Sequence, residues 1–305
     1  MKFLHVPDLK RDVSRLGIGS LKFDTESQGE TANLLDAYQS AGGNLIDTAE
    51  IYGCGKSEQA IGRYLKNRGN RSHWVVLTKA CVDPSLVRPG YIRGAAPRSL
   101  ERLQTESIDL FVLHRDDPSV PVGELVDVMN ELVDNRQILA YGVSNWTVAR
   151  VAEAKRYAER TSRRGPCLSS PHLGLATPVE PMWPGCTHAT AEDLSWYAQN
   201  GVPVFGWSAQ CRGFFASNSN PENSGNADLV RVYHSPSNFR KLEQARELAK
   251  ARGVEPVQIA LAWVLNQRVA TVALAGPNSV SELEIALGGI DIELSSAEML
   301  RLEDL

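Results

Sequence analysis

Nothing in the 305 residues reads as a disulfide framework, a metal cluster, a charged tail or a membrane span, and each absence removes a class of function. The five cysteines, Cys54, Cys81, Cys167, Cys186 and Cys211, are odd in number and irregularly spaced, which fits neither paired bridges nor a CxxC metal site. Reduced thiols are expected, and no metal. The formal net charge of -4 offers no field that would gather nucleic acid or an anionic membrane surface. No apolar stretch is long enough to span a bilayer, and Met1 to Lys10 carry charges and a proline where a secretory leader needs an unbroken apolar run. These absences lead to the expectation of a cytoplasmic protein, monomer or homo-oligomer, acting on a small molecule.

The chain is 43% apolar, enough at this length for one large core, so a single domain over residues 1–305 is expected. Short apolar runs alternate with amphipathic stretches from end to end. The runs fall at 15–19, 44–47, 74–79, 110–114, 140–144, 167–170, 203–207 and 271–275. Between them, helical periodicity predicts helices over 30–41, 57–66, 97–103, 122–135, 148–160, 191–199 and 239–252. Eight strand-helix units specify a parallel (β/α)8 TIM barrel better than a doubly wound sheet. Residues 3–6 and 12–14 flank a turn and predict an N-terminal β-hairpin that closes the barrel floor. Extra helices are predicted over 256–266 and 295–305. Residues 215–235, rich in Asn, Ser, Gly and Pro, exceed what a connector needs and form a candidate lid.

Active sites of such barrels lie at the C-terminal ends of the strands, so the polar residues that end the runs are the candidates. Strand two ends at Asp47 and leads into Asp47-Thr-Ala-Glu-Ile-Tyr52-Gly53; strand three ends at Lys79, strand four at His114, strand five at Ser144-Asn145 and strand seven at Trp207-Ser208. Singly, each has a plain structural reading: a capping Asp, a packed Tyr, a solvated Lys, a hydrogen-bonded core His. Together they place charge in a barrel mouth, where burial is unfavourable without a partner, and Asp47 is the natural partner of Lys79. A tyrosine hydroxyl titrates near 10, and a neighbouring ammonium stabilises its phenolate. With Lys79 supplying that charge and His114 polarising an oxygen, Tyr52 becomes a general acid beside an oxyanion pocket. Carbonyl reduction needs that arrangement once a hydride donor is present.

The segments Leu16-Gly17-Ile18-Gly19-Ser20, Asp47 to Gly53, Leu77-Thr78-Lys79, Asp109 to Arg115, Tyr141 to Trp146 and Gly206-Trp207-Ser208-Ala209 resemble the aldo-keto reductase family over essentially the whole chain. The resemblance implies NAD(P)H-dependent reduction of an aldehyde, ketone or sugar carbonyl, with Asp47, Tyr52, Lys79 and His114 catalytic. It also implies Ser144 and Asn145 at the nicotinamide carboxamide, Trp207 stacked on the ring, and Ser208, Ala209, Gln210, Arg212 and Gly213 along the pyrophosphate. Gly19, Ser20 and Asp47 border the cofactor, and Gly276, Asn278, Ser279 and Glu282 adjoin the adenine. Gly17-Ile18-Gly19 and Gly53-Cys54-Gly55 are not dinucleotide fingerprints, because both lack the third glycine and a Rossmann context.

Three departures stand out. The usual Gln after strand six is replaced by Ser169-Ser170-Pro171-His172, leaving Ser170 as a weaker cofactor contact. No Lys or Arg lies between Arg268 and Arg301, and Glu282 would repel the 2′-phosphate of NADP(H), so NAD(H) is suggested against the family habit. The loop Thr177 to Cys186 carries Trp183, which with Trp146, Arg115 and Asp116 suggests a pocket for a sugar-like substrate, whose carbonyl would meet Tyr52 and His114. Two other functions fit parts of the pattern: an aldolase-type lyase with a Schiff base on Lys79, and a nicotinamide-binding regulatory subunit.

Overall fold

The computed structural model of the chain describes residues 1–216, 218–222 and 226–303. It opens with a two-stranded antiparallel hairpin, β1 (Phe3–Leu4) and β2 (Val13–Ser14). Then follow β3 (Leu16–Gly19), α1 (Gln28–Ser40), β4 (Leu45–Asp47), α2 (Lys56–Arg68), β5 (Val75–Ala80), α3 (Pro89–Leu103), β6 (Ile108–Leu113), α4 (Val122–Asp134), β7 (Ile138–Ser144) and α5 (Val148–Arg160). The second half continues with β8 (Ser169–Ser170), α6 (Ala191–Gln199), β9 (Val204–Gly206), α7 (Ala227–Tyr233), α8 (Pro236–Arg252), α9 (Pro256–Leu265), β10 (Thr271–Ala275), α10 (Val280–Gly288) and α11 (Ser296–Leu302). Strands β3 to β10 close into a barrel in the order β10-β3-β4-β5-β6-β7-β8-β9, every pair parallel. The (β/α)8 expectation holds, and so do the hairpin and the extra helices.

The alternation of side chains along each strand explains where the polar residues point. Leu45, Val75, Leu77, Leu110, Val112, Ala140, Leu168, Phe205, Val272 and Leu274 form one buried cluster inside the barrel. Val6, Leu9 and Val13 from the hairpin segment join its lower end, so the hairpin plugs the floor. Stepping two residues up a strand keeps the same face: Leu45 leads to Asp47, Leu77 to Lys79, Val112 to His114, and Phe205 to Trp207. The chemistry-bearing residues are therefore the top layer of the barrel's own core. A second, larger cluster, with Trp74, Phe111, Tyr197 and Leu261 among its members, seals the helices against the outside of the strands.

Two local expectations differ from the structure. Pro97 was expected to open a helix, yet α3 begins at Pro89 and carries Pro97 inside it. The buried face Ile92, Ala95, Ala96, Ser99 and Leu103 runs through the proline, so packing outweighs the lost backbone bond. Gly62 of α2 makes this packing close: a β-carbon there would lie 2.4 Å from the Arg102 carbonyl oxygen. Within the expected irregular stretch 215–235, α7 forms behind Asn226, whose side chain accepts from the Asp228 and Leu229 amides; Ser217 and residues 223–225 of that stretch lie outside the described residues. Among the described residues no helix is long and apolar enough to cross a membrane.

Candidate active site

A cavity of about 570 Å³ opens at the C-terminal ends of the strands, within the size range of sites that hold organic ligands. Asp47, Tyr52, Lys79 and His114 all line it. Lys79 Nζ donates to Asp47 Oδ1 at 2.5 Å and to the Thr48 carbonyl at 2.9 Å, and both side chains are almost fully buried, 3% and 6% exposed. Burial works to lower the Lys79 pKa, but interaction with the Asp47 carboxylate, joined by Tyr52, overcomes it and holds the ammonium above its ordinary value. The Lys79 ammonium lies 5.2 Å from the centre of the Tyr52 ring, and the His114 ring meets Tyr52 edge-on at 6.3 Å.

Backbone geometry aims Tyr52. Its amide donates to the Ala49 carbonyl, and the next three residues, Gly53, Cys54 and Gly55, all adopt positive φ, 57°, 54° and 91°. That left-handed turn suits the two glycines and is strained at Cys54. Positive φ recurs at Cys81, Asn145, Ser208, Cys211 and Arg212, each on a connection leaving a barrel strand at the cavity end.

The electrostatics divide the roles. Burial raises the Tyr52 pKa, and Lys79 opposes that rise; the expected net lowering by the ammonium is overridden by desolvation. Burial, then Lys79 and Arg115, push His114 well below the usual imidazole range, so its ring is neutral at physiological pH. His114 Nδ1 has no hydrogen-bond partner among the described residues.

Around this centre the structure gathers most of the expected cofactor residues. Gly19, Ser144, Asn145, Trp207, Ser208, Gln210, Arg212, Gly213, Gly276, Asn278 and Glu282 line the same cavity. Asn145 Nδ2 donates to Ser144 Oγ and to the His114 carbonyl, which ties the end of β7 to β6. Trp207 forms a platform whose rear face is stacked on His172, centroids 4.5 Å apart and planes within 16°; its Nε1 is buried without a partner among the described residues. Glu282 Oε2 accepts from both the amide and Nδ2 of Asn278, at 2.7 and 2.8 Å. A neutral ring platform, bare glycine backbone and the Arg212 guanidinium are what a nicotinamide dinucleotide requires of its protein.

Other expected residues lie elsewhere. Ser170 is buried below the cavity, its Oγ donating to the Phe205 carbonyl. Ser20 Oγ accepts from Ser57, Ala209 is fully buried, and Ser279 caps α10. Trp146 is buried with its Nε1 on the Arg115 carbonyl, behind the wall rather than on it. Trp183 does line the cavity, 41% exposed and tilted against Trp207 at 5.8 Å, with Arg212 over its ring.

Leu21, Lys22 and Phe23, on the connection after β3, also line the cavity, as do Val257, Ile285 and Asn226, none of them among the candidate site residues. The first three follow a barrel strand directly, and that position alone marks them as rim candidates. Cys186 and Arg115 also face the cavity. All five cysteines are free.

Comparison with known proteins places the chain in a family. The model of the Aldo/keto reductase family matches residues 15–305. An uncharacterised oxidoreductase of Mycobacterium tuberculosis is 31% identical over 319 aligned positions, covering 100% of this chain and 92% of that protein. A thermostable aldo-keto reductase, Tm1743, solved with the inhibitor epalrestat, superposes with a TM-score of 0.79 at 24% identity, covering 100% of this chain and 99% of that one. An aldo-keto reductase from Klebsiella pneumoniae in complex with NADPH gives 0.75 at 24% identity, over 97% and 92% of the two chains. With the family's match running almost end to end over a closed eight-stranded barrel, this chain belongs to the aldo/keto reductase family of oxidoreductases.

Proposed function

We propose that the protein carries out reversible hydride transfer between a nicotinamide dinucleotide and an aldehyde, ketone or sugar carbonyl, with Tyr52 as the proton donor. The observation that carries this reading is a half-buried tyrosine flanked, in one cavity, by a buried ammonium 5.2 Å from its ring and a neutral histidine. A nicotinamide dinucleotide held in this cavity would supply hydride to the carbonyl carbon. Ser144, Asn145, Trp207, Ser208, Gln210, Arg212, Gly213, Gly276 and Asn278 are the residues that would hold it.

Desolvation keeps Tyr52 a phenol at neutral pH, so the proton is present when the carbonyl oxygen gains charge. The Lys79 ammonium then stabilises the phenolate left behind. A neutral His114 presents one ring N–H, able to donate to the same oxygen without competing as an acid. Asp47 keeps Lys79 charged and fixed. That pairing also argues against a Schiff-base lyase, since the amine nucleophile would have to form from an ammonium whose pKa is raised.

The substrate side is narrower than the sequence suggested. Of the residues that pointed to a polyol, Trp146 is buried and Asp116 is engaged with Arg150 at 3.2 Å, which leaves Trp183 and Arg115 on the cavity. For the cofactor, Glu282 supports use of NADH beside NADPH. The test is consumption of reduced cofactor with a panel of reactive aldehydes. Tyr52→Phe should lower kcat/KM by about a hundred- to ten-thousand-fold with the folded circular-dichroism spectrum retained. Normal turnover in that variant would sink the mechanism, and tight cofactor binding without turnover on any carbonyl would favour a regulatory subunit.

A further inference from the structure

Among the described residues Arg115 is a cation without a counter-ion. It is 4% exposed and lines the cavity beside His114. Its Nε donates to the Pro184 carbonyl at 3.2 Å, one Nη to the His114 carbonyl at 2.9 Å and the other to Cys186 Sγ at 3.2 Å. All three acceptors are neutral, and the thiol is a weak one. The neighbouring carboxylates are committed elsewhere: Asp47 to Lys79, Asp116 to Arg150 and Asp117 to Arg88. Among the described residues Arg115 forms no ion pair.

A buried charge is costly unless paired, and proteins leave one unpaired chiefly where a ligand completes it. Of the guanidinium's five N–H groups, the three bonds above leave one on each terminal nitrogen. A guanidinium with an N–H to spare on each terminal nitrogen can hold a carboxylate or phosphate by charge-assisted hydrogen bonds. Its charge already reaches the reacting centre, since it lowers the pKa of His114 and opposes the rise at Tyr52. Lys22 and Arg212 add positive charge to the same cavity, while the carboxylate of Glu282 is engaged with Asn278.

We propose that Arg115 binds an anionic group on the substrate, so that the preferred substrate is an aldehyde or ketone carrying a carboxylate, or a group of like charge and shape, within a few bonds of the carbonyl. This rests on the carbonyl-reduction reading above. The competing role for Arg115 is structural: through Pro184 and Cys186 it holds the loop bearing Trp183 against the end of β6.

The two roles separate on a ratio. Initial rates with saturating reduced cofactor are measured for formylbenzoates and for their neutral methyl esters. The wild type should favour the acids in kcat/KM by roughly 10- to 100-fold. Arg115→Met should bring that ratio to about one, and Arg115→Lys should retain part of it. A purely structural role lowers both substrates together and leaves the ratio unchanged, which overturns the proposal. A wild-type ratio of one or below overturns it as well, whatever the fate of the variants, while leaving carbonyl reduction standing. Failure of every acid and every ester to consume cofactor overturns the carbonyl-reduction reading, and this proposal with it.

Discussion

On one side of the cavity Asp47, Lys79 and His114 stand at the top of β4, β5 and β6, and the backbone locks them: Glu50 N donates to the Lys79 carbonyl and His114 N to that of Ala80. On the other side Trp183, Trp207 and Arg212 stand on connections after β8 and β9, and Glu282 in the first turn of α10, held by ring stacking, side-chain hydrogen bonds and left-handed backbone. The strand side has its geometry dictated by pleat and register, so its residues form a fixed reaction centre. The loop side can exchange one residue for another without disturbing the barrel. On the proposed reading the proton chemistry belongs to the rigid side, with Arg115 beside it at the end of β6, and the cofactor platform to the loop side.

The difference should appear first in stability. Lys79→Met removes the partner of a carboxylate that is 6% exposed, and breaking a buried pair by removing one member typically destabilises by about 3–5 kcal/mol. Urea unfolding of Lys79→Met should show a loss of that size, with much of it recovered in the double variant Asp47→Asn/Lys79→Met, where no charge is stranded. A loss under about 1 kcal/mol in the single variant would mean that water reaches the pair and that the strand side is no more fixed than the loops.

The same division decides how much the sequence disclosed. Asp47, Lys79 and His114 were legible because each ends a short apolar run, and a barrel turns that position into an address. Tyr52 was legible by motif; the run of three positive-φ residues that aims it has two glycines as its only trace. Trp146 and Ser170 were misplaced for one reason: proximity along the chain to a strand end does not say whether a side chain faces the cavity or the layer behind it. Pro97 misled because local propensity pointed to a helix start while tertiary packing carried α3 through it. Arg115 was visible as a rim residue, but its lack of a counter-ion depends on where Asp116 and Asp117 turn, which only the fold reveals.

His172 tests the loop side more sharply. It stacks on the rear of Trp207, its Nε2 lies 2.8 Å from the Tyr233 hydroxyl, and His188 packs edge-on at 5.4 Å. Burial, aided by His188, pushes its pKa down to about 3. The unfolded chain binds a proton near pH 6.5 and the folded chain resists doing so until about pH 3, so the unfolded state gains protons first as pH falls. The contribution of His172 to stability is therefore complete above about pH 6.5 and is lost progressively below it, by about 2 kcal/mol at about pH 5. His172→Gln should make that part of the stability-against-pH curve less steep, measured by thermal unfolding, with the remaining slope due to His114 and His188, whose pKa values burial also lowers. An unchanged slope would show that the Trp207 platform is not backed by a buried neutral imidazole.

The smallest expected effect lies farthest from the reaction centre. Glu282 carries a negative charge at the cavity edge, and its carboxylate is oriented by the amide and side chain of Asn278. A 2′-phosphate placed nearby meets like charge, whereas a bare ribose does not. Replacing Glu282 with Arg removes the repulsion and adds a guanidinium suited to phosphate. The exposed setting screens both terms, so the expected gain in NADPH affinity relative to NADH is about tenfold, corresponding to about 1.4 kcal/mol. Titrating tryptophan fluorescence with each cofactor measures the two dissociation constants directly and needs no substrate. The gain should shrink as salt is raised, because it is a surface charge effect. A salt-independent shift, or none, would detach Glu282 from the cofactor and leave Arg212 to account for phosphate recognition on the loop side.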